Sequence, residues 1–362
     1  MLQIIAPTRH LVVRAALAAT CALLLALAKL AFAHPINVAY ANIEIGSDGV
    51  SIALSLNLFE LDLLLGLDRD ADARVDQREL DLAQDRVAEY LSKRVSVTAD
   101  GKLAPLSHEA LRVTRGVDGK DLIEATLQFA GKASSSYVIR CEPLTDLGSD
   151  HRTLAKIQYR GRTEQFIFQK DVTYQNAPRT FAEDFGQFLE LGVVHIFTGY
   201  DHILFLLGLL LAATTLLEAI KIVTAFTIAH SVTLALAALG IMAPPPRIVE
   251  AGIALSIVYV AAENLFLRKH TRRWVVGFFF GLVHGFSFAN VLREMDLARA
   301  SLVASLFSFN LGVELGQLAI VVIMLPVLAL LRRVHSFPIV VKVASAGILA
   351  QGLWWLYERV LV

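Results

Sequence analysis

The sequence predicts a membrane α-helical bundle of six transmembrane helices, preceded by a small β-sandwich-like extracytoplasmic domain with an EF-hand-like insertion. Three observations predict it. The 362-residue chain is 56% hydrophobic yet 18% charged, too apolar for an ordinary soluble protein and too charged for one immersed throughout. Charge is concentrated before about Arg179, and long apolar runs follow from Phe188. The chain opens on a segment with the features of a secretory leader. The formal net charge is zero, which argues against a nucleic-acid partner and against a polybasic membrane anchor. Cys21 and Cys141 are too few for a disulfide framework.

Taken in order, Arg9 and Arg14 precede "AALAATCALLLALAKLAFA", which ends in Ala31-Phe32-Ala33. A basic start, a short apolar core and a small-residue end describe a cleaved signal over residues 1–33, and Lys29 argues against a permanent span. Cleavage leaves His34 as the new terminus. Its amino group and imidazole would form a bidentate chelate for copper or nickel; the plainer reading is that His34 merely follows the cleavage site.

Residues 34–180 read as β-rich. Val50, Ile52, Leu54, Leu56 and Leu58 alternate with small or polar residues, and Ser47-Asp48-Gly49 supplies a hairpin turn. "RVSVTA", "LIEATLQFA", "SYVIRCE", "AKIQYR" and "EQFIFQK" are further strand-like runs, which together suggest an antiparallel sandwich. The insertion "DRDADARVDQRE" carries chemistry. Asp68, Asp70, Asp72, Arg74 (through its carbonyl), Asp76 and Glu79 fall at the ligand positions of an EF-hand loop, so calcium is the expected ion. Ala73 departs from the pattern, which wants glycine there, and an acidic solvated loop is the plain alternative. Leu80, Ala83, Val87 and Leu91 predict a helix after it.

Residues 181–362 read as the membrane domain, with candidate spans at about 188–212, 217–239, 247–267, 273–292, 300–331 and 337–361. The basic runs "RKHTRR" and "RRVH" fall in loops that are cytoplasmic if the first domain is outside, in agreement with a signal peptide. Gly277, Gly281 and Gly285 form one small-residue ridge, and Gly312 and Gly316 another.

Inside these spans lie His195, Asp201, His202, Glu263, His230, His284 and Glu314. A charged side chain at mid-bilayer costs about 2.5–3.5 kcal/mol even on lenient scales, so such groups turn inward and meet each other, water or an ion. One buried histidine alone is best read as a hydrogen-bonded structural residue. A set of imidazoles and carboxylates at one depth suits a borderline divalent ion such as nickel, cobalt or zinc. Glu263 has a further option, pairing with Arg268 near the inner interface.

The stretch His195-x-x-x-Gly199-x-Asp201-His202 resembles the first-span motif of the HupE/UreJ family of membrane proteins. "FTIAHSVTLALAALG", "FGLVHGFSFANVL" and "FNLGVELGQ" resemble its second, fourth and fifth spans, so the likeness covers about the last 180 residues. A looser likeness is to nickel/cobalt permeases. The resemblance implies a divalent-metal permease with nickel as the favoured ion, and His195, Asp201, His202, His230, His284 and Glu314 as the metal-handling set. The large outer domain departs from the short form of the family and leaves room for a periplasmic partner of its own. Two rivals stand beside this reading: an intramembrane zinc-dependent hydrolase, and a membrane-anchored scaffold or sensor with a calcium-clipped outer domain.

Overall fold

The computed structural model describes residues 38–72, 74–115, 121–131, 134–148, 151–176, 180–242, 244–266, 272–287 and 299–361. The expected signal at 1–33, His34, Ala73 and Arg268 lie outside these residues. The described residues form two compact units, one of 38–187 with 299–302 and the other of 188–287 with 303–361.

In the N-terminal unit, β1 (Val38–Ile45) and β2 (Gly49–Asn57) pair antiparallel, with Ile43 opposite Ile52 and Ile45 opposite Val50. This is the hairpin the alternation predicts. Val50, Ile52, Leu54 and Leu56 are buried, because every second side chain of a strand points to one face. Gly49 has φ +138°, and a Cβ there would collide with the Phe129 carbonyl, so the turn requires glycine. Asn57 ends the strand and caps α1 (Leu58–Leu65), accepting from the Phe59 and Glu60 amides at 3.0 and 3.4 Å. The expected helical stripe is present but divided. α2 (Gln77–Leu82) breaks at Ala83 before α3 (Gln84–Arg94), and Leu80, Ala83, Val87 and Leu91 are all buried.

The remaining strands are β3 (Val95–Ala99), β4 (Lys102–Leu103), β5 (Leu106–Arg115), β6 (Asp121–Ala130), β7 (Tyr137–Cys141), β8 (Arg152–Tyr159), β9 (Arg162–Phe168) and β10 (Tyr174–Gln175). They correct the expected antiparallel sandwich. Among the described residues there are two open sheets, ordered β5-β6-β2-β1-β8-β9 and β10-β7-β3-β4, and β1 pairs parallel with β8. Hairpin turns cannot make a parallel pair; it needs a long crossover, which the chain between β1 and β8 supplies along with three helices. The alternation along each strand reports a buried face but not its partner.

The EF-hand is also corrected. An EF-hand clasps its loop between two substantial helices, whereas α1 has 8 residues and α2 only 6 before the break at Ala83. The acids serve the backbone locally. Asp76 caps α2 by accepting from the Glu79 amide at 2.8 Å, and Glu79 returns the bond to the Asp76 amide at 3.1 Å. The other Glu79 oxygen accepts from the Arg69 amide at 2.8 Å.

The helical unit contains α4 (Phe181–Thr198), α5 (Tyr200–Leu210), α6 (Leu216–Ala238), α7 (Pro246–Phe266), α8 (Arg273–His284), α9 (Arg299–Leu331) and α10 (Phe337–Leu361) among the described residues. Among the described residues the expected six spans become four helices long and apolar enough to cross a membrane: α6, α7, α9 and α10. A fifth is counted if α4 and α5, bent by 70° at Gly199, make one span. Two physical reasons account for the difference. Polar residues interrupt the first segment at the Gly199 joint. The 12 residues of α8 reach only about 18 Å at 1.5 Å per residue, against about 30 Å of hydrocarbon. Ile228, Leu255, Val322 and Ile323 stay exposed on these helices, so their outer faces are apolar and suit lipid. The chain is a multi-pass membrane protein.

The glycine ridge of α8 does what its spacing predicts. Built Cβ atoms at Gly277 and Gly281 would meet the Ile222 and Phe226 carbonyls of α6 at 3.2 and 2.6 Å, and one at Gly285 would strike the His230 carbonyl. Small residues let the two backbones touch. Gly192 and Gly312 make a similar close crossing of α4 and α9. The contact at Gly285 sets the end of α8, with His284, beside the His230 turn of α6.

Candidate metal centre

His195 lies in the last turn of α4, Asp201 and His202 in the first turn of α5, His230 on α6 and His284 at the end of α8. The Gly199 joint decides how the first three meet. The Asp201 and His202 side chains fold back over it: a Cβ at Gly199 would lie 2.8 Å from His202 Nδ1, 3.4 Å from Asp201 Oδ1 and 2.7 Å from the His195 carbonyl. The bend is therefore what turns residues on two helix segments toward a common point.

One atom each of His195, His202 and His230 falls within 4.8 Å of the others. The four histidines are 6, 3, 0 and 0% exposed, in chain order. The His202 ring centroid is 4.7 Å from that of His195, 6.2 Å from that of His230 and 4.8 Å from that of His284. His202 is thus the hub. His284 packs edge-on against it, outside the triad.

Hydrogen bonds assign the ring nitrogens. Asp201 Oδ1 lies 2.8 Å from His202 Nδ1 and also accepts the His202 amide at 2.8 Å. A carboxylate only accepts, so Nδ1 carries the proton and Nε2, buried and without a hydrogen-bond partner, presents its lone pair. Asn310 uses its amide group to donate to the Leu306 carbonyl at 2.8 Å, which turns its oxygen to His230 Nδ1 at 3.1 Å. His230 Nε2 is then the bare, buried nitrogen. Ser256 spends its single proton on the Ile253 carbonyl at 2.6 Å, so it accepts from His284 Nε2 at 3.0 Å and leaves Nδ1 bare. Each of these three imidazoles is held by one nitrogen and leaves the other without a hydrogen-bond partner, the arrangement that outer partners impose on metal-ligating histidines. Asp201 itself also lies 4.0 Å from Arg359 of α10.

The other residues singled out in the sequence are placed elsewhere. Glu263 faces Arg273 at 3.6 Å, both side chains 1% exposed, rather than the triad. Asn264 accepts from Arg273 at 2.6 Å and donates to the Gly208 carbonyl at 2.8 Å, so this buried network ties α7 and α8 to α5. Glu314 accepts from the Thr224 hydroxyl at 2.6 Å. The parts played by Ser256, Arg273, Arg359 and Thr224 are not legible in sequence. Asn310 is, weakly, since Asn310, Glu314 and Gln317 share one helix face.

In the N-terminal unit, Asp68, Asp70 and Glu79 bring one oxygen each within 4.8 Å of the others. The Asp72 amide pulls the Asp70 carboxyl down, but desolvation and the charges of Asp72, Glu79 and Asp68 outweigh it and leave Asp70 above its ordinary value. Asp72 accepts from the Arg74 amide at 2.8 Å and Asp76 caps α2, so neither is turned to that cluster in the way the loop pattern expects.

Comparison with known proteins adds one finding. The profile of the HupE / UreJ protein family matches residues 169–359, which takes in α4 to α9 and all but the last two residues of α10. No curated protein and no solved structure matches the chain.

Proposed function

Because the chain belongs to the HupE / UreJ family, we propose that it is a divalent transition-metal permease with nickel as its cargo and cobalt or zinc as the competing ions. Membership is consistent with a transporter rather than an enzyme. The buried cluster and the family together support a metal-binding membrane permease. The observation that carries the reading is the His195, His202 and His230 triad inside an apolar helical unit. Imidazole nitrogen is a borderline donor that suits Ni²⁺, Co²⁺ and Zn²⁺ and disfavours Ca²⁺ and Mg²⁺. On this reading the cargo exchanges water for the bare nitrogens of His202 and His230 and for His195. Asp201 keeps His202 in the right tautomer and raises its basicity. His284 offers a further nitrogen beside the hub. The expected signal supports an N-terminal unit on the outer side of a bacterial inner membrane.

Uptake of Ni²⁺ into proteoliposomes tests the proposal: wild type transports and His202→Ala does not. Equal uptake by both overturns it. Tightly held zinc that does not exchange, together with hydrolysis of a lipid or lipid-linked amide, would install the hydrolase instead. Loss of the cellular phenotype on deleting residues 34–180, with the histidines freely replaceable, would install the scaffold.

A lesser reading concerns the N-terminal unit. The converging oxygens of Asp68, Asp70 and Glu79 support a weak calcium clip. Calorimetric titration with Ca²⁺ checks it, with Asp68→Ala expected to abolish the heat; the absence of any heat with wild type rejects it.

A further inference from the structure

The interface of α6 and α9 carries a second feature. Three side-chain hydrogen bonds cross it: His230 to Asn310 at 3.1 Å, Thr227 to Gln317 at 3.1 Å and Thr224 to Glu314 at 2.6 Å. The first belongs to the triad. Thr224 lies about six residues from His230 along α6, roughly 9 Å at 1.5 Å per residue, and Glu314 about four residues from Asn310 along α9, roughly 6 Å. Glu314 is satisfied on one side only. Its Oε1 accepts from Thr224, while Oε2 is buried with no hydrogen-bond partner. An orphaned buried carboxylate oxygen is among the costlier groups a membrane helix can carry. The groups beside it are oxygen-rich: Thr224 and Thr227 hydroxyls and the Gln317 amide, with Gln317 3% exposed and Thr227 8%.

We propose that Glu314, with Thr224, Thr227 and Gln317, forms a second cation position of oxygen donors, a waypoint that the cargo occupies after leaving the histidine triad. The proposal rests on the permease reading and deepens it. The chemistry explains why two unlike sites would lie in series. The triad's nitrogens select a borderline ion from hard ones. A site that holds such an ion well also releases it slowly, and a neighbouring anionic oxygen lowers the barrier to leaving. The oxygen site binds less selectively. Thr224 orients the carboxylate so that Oε2 is the ligating atom.

The test uses the full chain in lipid nanodiscs, titrated with Ni²⁺ alone, and the same chain in proteoliposomes for transport. Glu314→Gln keeps the acceptor for Thr224 and removes the charge, so the fold is preserved. Wild type is expected to show a tight and a weaker binding step. Glu314→Gln is expected to lose the weaker step, keep the tight one, and lower the turnover number with KM unchanged. Mn²⁺ is expected to compete for the weaker step and not for the tight one. His202→Ala should lose the tight step. A weaker step and a turnover that survive in Glu314→Gln overturn the waypoint while leaving the permease standing. Survival of the tight step in His202→Ala overturns the permease reading itself. A lower melting temperature for Glu314→Gln would mean the carboxylate is structural, and that also counts against the waypoint.

Discussion

Gly199→Ala should weaken metal binding although it replaces none of the three histidines. The added methyl would sit 2.7 Å from the His195 carbonyl and 2.8 Å from His202 Nδ1, closer than carbon approaches either atom without displacement. Neither neighbour can yield freely. The His195 carbonyl accepts from the Gly199 amide at 2.9 Å, and His202 Nδ1 is held to Asp201 at 2.8 Å. Relief therefore means opening the joint between α4 and α5 or breaking the Asp201–His202 bond. Loss of an outer partner of a ligating histidine typically lowers metal affinity about 10–100-fold, or about 1.4–2.7 kcal/mol. The measurement is competition for Ni²⁺ or Zn²⁺ against a chromophoric chelator, with the protein in nanodiscs. Gly186→Ala is the control, because nothing lies within 4 Å of a Cβ built there. It should leave affinity alone and add a few tenths of a kcal/mol to about 1 kcal/mol of helix stability. A Gly199→Ala variant that binds metal as wild type does would refute the reasoning, since the bend would then not be what places the triad.

Asn310→Ala should strand the buried His230 Nδ1 proton, at about 1–3 kcal/mol of stability, and weaken metal binding about 10–100-fold; Asn310→Asp should restore binding, and nitrogen NMR of the imidazoles would show whether the tautomer has moved. Arg273→Ala should remove the 3.6 Å contact to Glu263 and the hydrogen bond to Asn264, and so lower the melting temperature of the helical unit; equal melting temperatures for Arg273→Ala and wild type would refute it. Burial pushes the Glu109 carboxyl above its ordinary value, and one of its oxygens is buried without a partner. Its folded form holds the proton more tightly than the unfolded chain, so the stability it allows is complete below the unfolded value near 4.5 and falls as pH rises through the folded one. Glu109→Gln should therefore slow hydrogen exchange in β5 relative to wild type at pH 7 and leave it unchanged at pH 4; an equal effect at both would reject a titration origin. Burial likewise raises the Cys141 thiol, so in a Cys21→Ser background it should resist maleimide until the N-terminal unit unfolds.

What composition and spacing determined alone was the division of labour: a charged, strand-rich first half, an apolar helical second half, and ionisable residues placed inside the latter. The β1–β2 hairpin, the Leu80 to Leu91 stripe and the Gly277 ridge were legible because their signals are local, set by the period of a strand or a helix. The parallel pairing of β1 with β8 was not, because an alternating strand presents the same pattern to any neighbour. The number of spans was overestimated because hydropathy averages over a window. It sees neither the 70° bend at Gly199 nor that α8 spans only 12 residues. The acids of the Asp68 to Glu79 loop fit a ligand pattern by spacing, yet several are engaged in capping and turns, which spacing does not reveal. At the centre, the sequence supplied the histidines and the energetic reason for them to converge. Tertiary structure decided which of them converge, which nitrogen of His202, His230 and His284 is left without a hydrogen-bond partner, and that Glu263 faces Arg273. Those outcomes rest on pairs that the packing of separate helices, not a local period, brings together: Asn310 with His230 at 3.1 Å, Ser256 with His284 at 3.0 Å and Arg273 with Asn264 at 2.6 Å.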